Sequence, residues 1–485
     1  MSDLSSLSWE AILTAPSILD IIGEATGALR ISTDTREDLE NAIFVPLKGE
    51  TFDGENFMRQ AYDAGARVFA YTRNSSLNEL RDHAEESAVY IKVKDGLSFL
   101  LDLANIARNE HSFEVIGVTG SVGKTSCRNW IMAGLGQTMT VSGTKANLNN
   151  PIGVSQSIFA LDPEARVAVL ELAMDHAGEI SLSSGAAEPD RAVITNIGTS
   201  HLAHFDNRED LLQAKLEILE GMSDDAPLHL RWDEDLLSQW VLEHEDQWHR
   251  IRLYAGRNYD VEQLPALPIC LAYYESSNLV FKFYRDRALM KEIKLETREV
   301  EPHHLAHLAV TAQIMAELDI EVEASVLRST LSTYRNEPGR LARHQIGSYL
   351  IIDDAYNASP ESMEAAFESL QYHGVTEAVA CIASVNELGP AASFFHERIG
   401  EALTESGVFR LVFLLGPHSD DIHRGIQKVQ ESYPDSMEVI LCEGLDDMFE
   451  ALRTRLKEGD TILLKGSNSY RLGTLRAMFE EAVHD

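Results

Sequence analysis

A chain of 485 residues is longer than one hydrophobic core supports, so two to four domains are expected. With 77 acidic against 41 basic residues the formal charge is −36, which repels nucleic-acid phosphates and anionic membrane surfaces, and no basic patch offsets it. The 4 cysteines, at 127, 270, 381 and 442, show no C-x-x-C pairing, and there is neither a signal peptide nor a long apolar run. A cytoplasmic protein without nucleic-acid partner or membrane insertion is expected.

In chain order, short strand-like runs ("AIFVPL", "ARVFAYT", "AVYIKV") between residues 30 and 95 suit a small α/β domain. From "FEVIGVTG" to about residue 340 the strands are nearly all apolar, as in "VAVLEL" and "RAVITNI", and alternate with helices such as "DLLQAKLEILEGM". Strands buried on both faces belong to a parallel sheet covered by helices. After "EPGRL" comes a third βα series: "YLIIDD", "AVACIA", "LVFLLG", "MEVILC" and "DTILLK". The expected fold is α/β with three domains. These are a small α/β amino-terminal domain (1–108), a central P-loop ATPase domain with a mostly parallel sheet (109–338) and a Rossmann-like carboxyl-terminal domain (339–485).

The stretch "GVTGSVGKTS", Gly117 to Ser126, lies between a strand and a helical pattern. The common phosphate loop, G-x-x-x-x-G-K-[ST], would place its first glycine where this chain has Val118. The chemistry is nonetheless that of a phosphate site. Free backbone N–H groups and the helix dipole attract anions, and Gly120 and Gly123 permit close approach past Ser121. Lys124 neutralises terminal phosphates, and Thr125 offers a hydroxyl to Mg²⁺. Glu171 closes a buried strand and His201 follows another by a short turn, so both reach the same sheet edge. Taken singly, Glu171 fits a solvated strand end, His201 a structural hydrogen-bonder, and Lys215 in "LLQAKLEIL" a snorkelling surface lysine.

Together these segments are more specific. "TGSVGKTS", "NLNNPIG" (147–153), "ELAMDHAGEI" (171–180), "NIGTSHLAHF" (196–205) and "QAKLEIL" (213–219) occur in the order seen in the Mur ligases. The chain resembles that family, and within it the branch that adds D-alanyl-D-alanine to UDP-N-acetylmuramoyl-tripeptide in peptidoglycan synthesis. Ser32 to Phe57 looks like the uridine-diphosphate region, and "PGRL" (338–341), "DDAYNASPESM" (353–363) and "LLKGSNS" (463–469) like the remaining signatures.

The resemblance implies an ADP-forming amide ligase. A substrate carboxylate attacks the γ-phosphate of ATP to give an acyl phosphate, and an amine then displaces phosphate. It implies a set of roles as well. Thr125, Glu171, His201 and Lys215 would face Mg²⁺, with Lys215 carbamylated by CO₂, and Lys124 and Arg340 would act on phosphate. Gly120, Ser121, Gly123, Ser126, His304, Asp354 and Tyr356 would line the nucleotide site. Ser32, Asp34, Thr35, Arg36, Lys48, Asn147, Asn149, Asn150 and Lys465 would contact the UDP-linked muramoyl peptide and the dipeptide amine. A monomer is expected.

Three departures from the family pattern stand out. "HHLAH" (303–307) replaces H-N-x-x-N, "IASVNELG" (382–389) has Ala383 and Ser384 where glycine and aspartate are usual, and Asp175 replaces a common asparagine. Competing expectations are a Mur-like amino-acid ligase of another pathway and a nucleotide-binding scaffold without catalysis. A P-loop kinase or GTPase is disfavoured by the short loop and the lack of N-K-x-D. Because Lys124 is expected to neutralise charge that develops during transfer, Lys124→Ala should abolish ATP-dependent phosphate release while circular dichroism stays unchanged. Near-normal release from the folded variant would contradict the expectation.

Overall fold

The computed structural model describes residues 30–484 apart from 41, 50, 85–87 and 432–436; residues 1–29 of the expected amino-terminal segment lie outside the described residues. A first sheet holds β1 (Arg30–Ser32), β2 (Ala42–Phe44), β3 (Val68–Tyr71) and β4 (Val89–Lys92), all parallel and in chain order. Its helices are α1 (Met58–Asp63), α2 (Asn74–His83) and α3 (Gly96–Asn109). Because successive strand residues face opposite sides, Ile43, Val68 and Ala70 pack under α3, whereas Phe44, Phe69 and Tyr71 pack under α1 and α2.

The second sheet has nine strands: β5 (Glu114–Thr119), β6 (Val141–Gly143), β7 (Val167–Glu171), β8 (Arg191–Ile194), β9 (Leu228–Arg231), β10 (Ile251–Ala255), β11 (Ile269–Glu275), β12 (Asn278–Arg285) and β13 (Ala288–Glu296). Their order is β13-β12-β11-β10-β9-β8-β5-β7-β6. From β6 to β11 neighbours are parallel, as the apolar runs imply; β11, β12 and β13 form an antiparallel meander that the sequence reading did not foresee. Its reversals use Ser276 and the pair Asp286–Arg287, all at positive φ, a conformation usually spelled with glycine or asparagine. Around this sheet lie α4 (Lys124–Leu135), α5 (Pro151–Phe159), α6 (Glu179–Ala187), α7 (Arg208–Leu216), α8 (Asp235–Glu243), α9 (Leu305–Glu317) and α10 (Ala324–Thr333). α4 is buried almost all round, between the sheet and α9 and α10. α3 packs on α5 and α6 and so docks the first sheet on the second.

The third sheet is β14 (Ala342–Ile346), β15 (Tyr349–Asp354), β16 (Ala378–Ala383), β17 (Phe409–Leu415), β18 (Glu438–Cys442) and β19 (Thr461–Lys465), in the order β14-β15-β19-β16-β17-β18. Only β14 runs antiparallel. Helices α11 (Pro360–Tyr372), α12 (Ala392–Glu405), α13 (Ser419–Gln430), α14 (Leu445–Arg455) and α15 (Thr474–His484) cover its two faces. The last strand inserts between the first two of the βα series, and this pairing sets Asp354 beside Lys465 at the strand ends. In the second sheet β8, β5 and β7 are neighbours, so their carboxyl ends bring three loops to one edge.

Candidate active site

β5 delivers the phosphate-loop segment. Gly120 sits at φ 140° and Gly123 at φ 81°, backbone conformations that favour glycine, and a Cβ on Gly120 would run into Thr195 Oγ1. Ser121 N–H donates to Asn196 O at 3.1 Å and Val122 N–H to Asn196 Oδ1 at 2.9 Å, which ties the loop to the end of β8. Lys124 folds back over the loop, its Nζ donating to Gly120 O at 2.6 Å and Ser121 O at 3.1 Å. Burial pushes its ammonium down to about 8, with Glu171 opposing and Arg340 reinforcing the shift.

Glu171, at the end of β7, is 1% exposed and is the hub of the edge. Thr125 Oγ1 donates to its Oε2 at 3.2 Å and Asn149 Nδ2 to the same oxygen at 3.5 Å. Arg128 Nη1 lies 2.8 Å from Oε1, the guanidinium being only 3% exposed. Arg128 also donates to Thr144 O at 2.7 Å and to Glu337 Oε1 at 3.0 Å. That last contact reaches the segment between the second and third sheets, three residues before Arg340.

Lys215, on α7, is 1% exposed, and among the described residues its Nζ has no hydrogen-bond partner. Burial, and then the charge of Lys124, holds its ammonium well below the usual lysine range, so the neutral amine is favoured. The surface-lysine reading of this residue is therefore overturned. His201, at φ 64°, has Nδ1 2.7 Å from Glu387 Oε2 on the third domain and 3.3 Å from Asp175 Oδ1. Burial, then Lys124 and Lys215, depress its protonation.

Two connected cavities lie between the second and third sheets. The larger, about 580 Å³, is lined by Ser121, Lys124, Thr125, Asn147, Asn149, Glu171, His201, Arg340 and Tyr356 among others. The other, about 380 Å³, is lined by Gly123, Ser126, His303, His304, His307, Arg340, Asp354 and Lys465 among others. Arg340 stands 4.6 Å over the Tyr356 ring at the junction of the two. Trp130 stacks on Tyr334 at 3.7 Å, with His304 edge-on to both, so the triplet of histidines extends an aromatic wall. Burial keeps all three histidines neutral, His307 at about 3.

Other expected site residues are placed differently. Lys465 is buried with its ammonium bonded to Asp354, so it faces the smaller cavity as a partner of that carboxylate. Burial raises the Asp354 carboxyl, opposed by Lys465. Asn150 uses its side-chain oxygen to cap α5, accepting from Gly153 N–H at 2.8 Å. Ser32 Oγ donates to Glu37 at 2.6 Å, and Asp34 pairs with the exposed Arg36. Thr35 is half-buried, and Lys48, exposed, forms an antiparallel backbone β-bridge with Asp53. These amino-terminal residues do not line the two cavities. Ser384, one of the departures, is fully buried and accepts from His418 N–H at 3.1 Å, a structural task away from the cleft.

Residues 118–285 match the family profile "Mur ligase middle domain" and residues 339–468 the profile "Mur ligase, glutamate ligase domain". The chain belongs to the Mur ligase family. It is 32% identical over 459 residues to the UDP-N-acetylmuramoyl-tripeptide–D-alanyl-D-alanine ligase of Bacillus subtilis (strain 168), covering 94% of this chain and 92% of the relative. It is 28% identical over 473 residues to the Escherichia coli (strain K12) ligase of the same name, covering 94% and 96%. The crystal structure of MurF ligase from Thermotoga maritima in complex with ADP superposes with a TM-score of 0.75 at 26% identity, covering 94% of this chain and 98% of that one.

Among the described residues no three His, Cys, Asp or Glu side chains converge as a ready cage. Mg²⁺, however, prefers a few hard oxygens, water and substrate phosphates. The Thr125 hydroxyl, the Glu171 carboxylate and the partnerless Lys215 amine, once carrying a carboxylate, fit that preference.

Arg128, Glu337 and Glu387 were not anticipated. Arg128 lies one helical turn after Lys124, a spacing that places both on one face of α4, so it was findable. Glu337 and Glu387 come close only through the third domain, which no local spacing reveals. Arg128→Met should cost about 3–5 kcal/mol in urea unfolding because it removes the one guanidinium in contact with the buried Glu171 carboxylate among the described residues. Arg128→Met/Glu171→Gln should recover most of that loss; additive losses in the double variant would show that the two do not act as a pair.

Proposed function

We propose that this chain is an ATP-dependent ligase that joins D-alanyl-D-alanine to UDP-N-acetylmuramoyl-tripeptide, with release of ADP and phosphate, in peptidoglycan precursor synthesis. The observation that carries this reading is a phosphate loop whose Lys124 lies within electrostatic reach of a buried lysine, Lys215, in a chain alike over nearly its full length to ligases of that name. ATP would lie with its phosphates against the loop and the start of α4 and its base in the histidine-lined cavity. A carboxylate oxygen of the tripeptide forms a bond to the γ-phosphorus as the β,γ-bridging P–O bond breaks, giving an acyl phosphate and ADP. The amine of D-alanyl-D-alanine then attacks the acyl carbon and loses a proton, and phosphate leaves.

In this reading the protein contributes mainly position and charge. Lys124, now resting on two loop carbonyls, would turn its ammonium to the transferring phosphoryl group. Arg340 would approach the same phosphate from the third domain, held over Tyr356. The neutral amine of Lys215 would add to CO₂, forming an N–C bond and losing a proton, to give a carbamate. Thr125, Glu171, His201 and carbamylated Lys215 would hold Mg²⁺, which when bound neutralises charge on the phosphates. The asparagines at 147 and 149 line the larger cavity, where the acceptor peptide would enter from the Ser32–Lys48 region. The domain limits 1–108, 109–338 and 339–485, a cytoplasmic location and a monomeric state belong to the same proposal. Among the described residues no helix is long and apolar enough to cross a membrane.

The assay that tests it is phosphate release and amide formation with ATP, Mg²⁺, UDP-N-acetylmuramoyl-tripeptide and D-alanyl-D-alanine set against other amines. Activity confined to another amine would refute the substrate assignment. Lys215→Ala should lose nearly all turnover, and a short-chain carboxylic acid at high concentration should partly restore it by supplying the missing oxygens, whereas Lys124→Ala should not respond. Full activity of Lys215→Ala would remove the carbamate.

A further inference from the structure

The third domain meets the loop that follows β8 at more than one place: Thr199 Oγ1 donates to Glu361 Oε2 at 3.2 Å, and Ala203 lies against the segment around Glu387. Ala203 N–H donates to Glu387 O at 2.9 Å, and Gly389 packs against Ala203. At the same place the Glu387 carboxylate comes within 2.7 Å of His201 Nδ1. Both residues are non-glycine and left-handed, His201 at φ 64° and Glu387 at φ 63°. Such conformations are uncommon away from glycine, cost free energy, and persist only where the surroundings enforce them. Two of them meeting across an interface, where the Glu387 side chain is 50% and the His201 side chain 21% exposed, are not explained by packing of a core. The other carboxylate facing the ring is Asp175, from the second domain's own loop, farther away at 3.3 Å, and the charges of Lys124 and Lys215 also reach it.

We infer that Glu387 is a positioning residue: arriving with the third domain, its carboxylate takes the Nδ1–H of His201 and so fixes the tautomer and ring direction that leave Nε2 free toward the metal. The inference rests on the functional reading above, in which His201 faces Mg²⁺. A histidine that ligates through one nitrogen is commonly held by a carboxylate on the other, which sets the tautomer and strengthens the ligand. In the present conformation Nδ1 and the carboxylate are at contact distance without the alignment of a hydrogen bond, so a small turn of the ring completes the arrangement. The geometry differs from an ordinary latch in one respect. The backbone bond from Ala203 already joins the two domains and uses the main-chain oxygen of Glu387, leaving the side chain free for the ring. Closure of the third domain and readiness of His201 thereby become a single event.

Glu387→Ala and Glu387→Gln separate orientation from latching, since both keep the Ala203–Glu387 backbone bond. Mn²⁺ affinity is measured by electron paramagnetic resonance on the full chain with a non-hydrolysable ATP analogue, alongside small-angle scattering of the same samples and kcat and KM for ATP. Glu387→Ala should weaken Mn²⁺ binding about 10–100-fold and lower kcat by a similar factor, with compaction and KM for ATP little changed. Glu387→Gln, whose amide oxygen still accepts from Nδ1–H, should recover most of both. Unchanged Mn²⁺ affinity in Glu387→Ala overturns the inference, and so does a loss of affinity that is matched by loss of compaction, which assigns the side chain to holding the domains together. The metal arm does not depend on the amine, so a wild-type chain that binds Mn²⁺ normally yet fails to use D-alanyl-D-alanine would refute the substrate assignment and leave this test intact.

Discussion

The buried pair between Arg128 and Glu171 is the constraint around which the cleft is arranged. A carboxylate 1% exposed at a strand end is stable only if cations and donors surround it, and here they come from two segments, α4 with Thr125 and Arg128 and the 147–150 loop with Asn149. Thr125 ties it to the phosphate loop, Asn149 to the 147–150 loop, and Arg128 to Glu337 and so to the segment that leads to Arg340. The parallel sheet makes this possible because β8, β5 and β7 are adjacent and end together.

The lysines show the same logic from the side of cost. Lys124 and Lys215 share one low-dielectric edge, and two ammonium groups there would repel each other and any metal. Burial resolves the conflict by disfavouring the charge on Lys215, which has no partner, while Lys124 keeps two carbonyls. An amine whose charge is disfavoured in this way is more nucleophilic toward CO₂, so what looks like an unsatisfied polar atom becomes a site for chemistry in the proposed reaction. Asp354 and Lys465 illustrate the opposite solution, a buried pair fixed by strand order, β19 lying directly beside β15.

Much of this was legible in the residues. Apolar runs gave β5, β7 and β8, and the spacing of Gly120, Gly123, Lys124 and Thr125 gave the loop, because period and turn chemistry are local. Lys215 was not legible from its own helix, where it reads as a snorkelling surface residue; only its place among the other motifs raised it. The meander β11–β13 escaped because Ser276, Asp286 and Arg287 adopt positive φ without the usual turn residues. Lys465 and Asn150 were expected at the substrate, yet one is paired with Asp354 and the other caps α5, since hydrogen-bond partners are decided by tertiary neighbours. Glu387 was visible only as part of an altered motif, and its contact with His201 joins segments nearly two hundred residues apart.

The central claim is that this edge activates a carboxylate by phosphoryl transfer. Oxygen-18 in the acceptor's reacting carboxylate tests it most directly, with products read by mass spectrometry. Attack of that oxygen on the γ-phosphorus predicts one labelled oxygen in each phosphate released and none in ADP. Label retained wholly in the peptide, or recovered in AMP, would contradict the account.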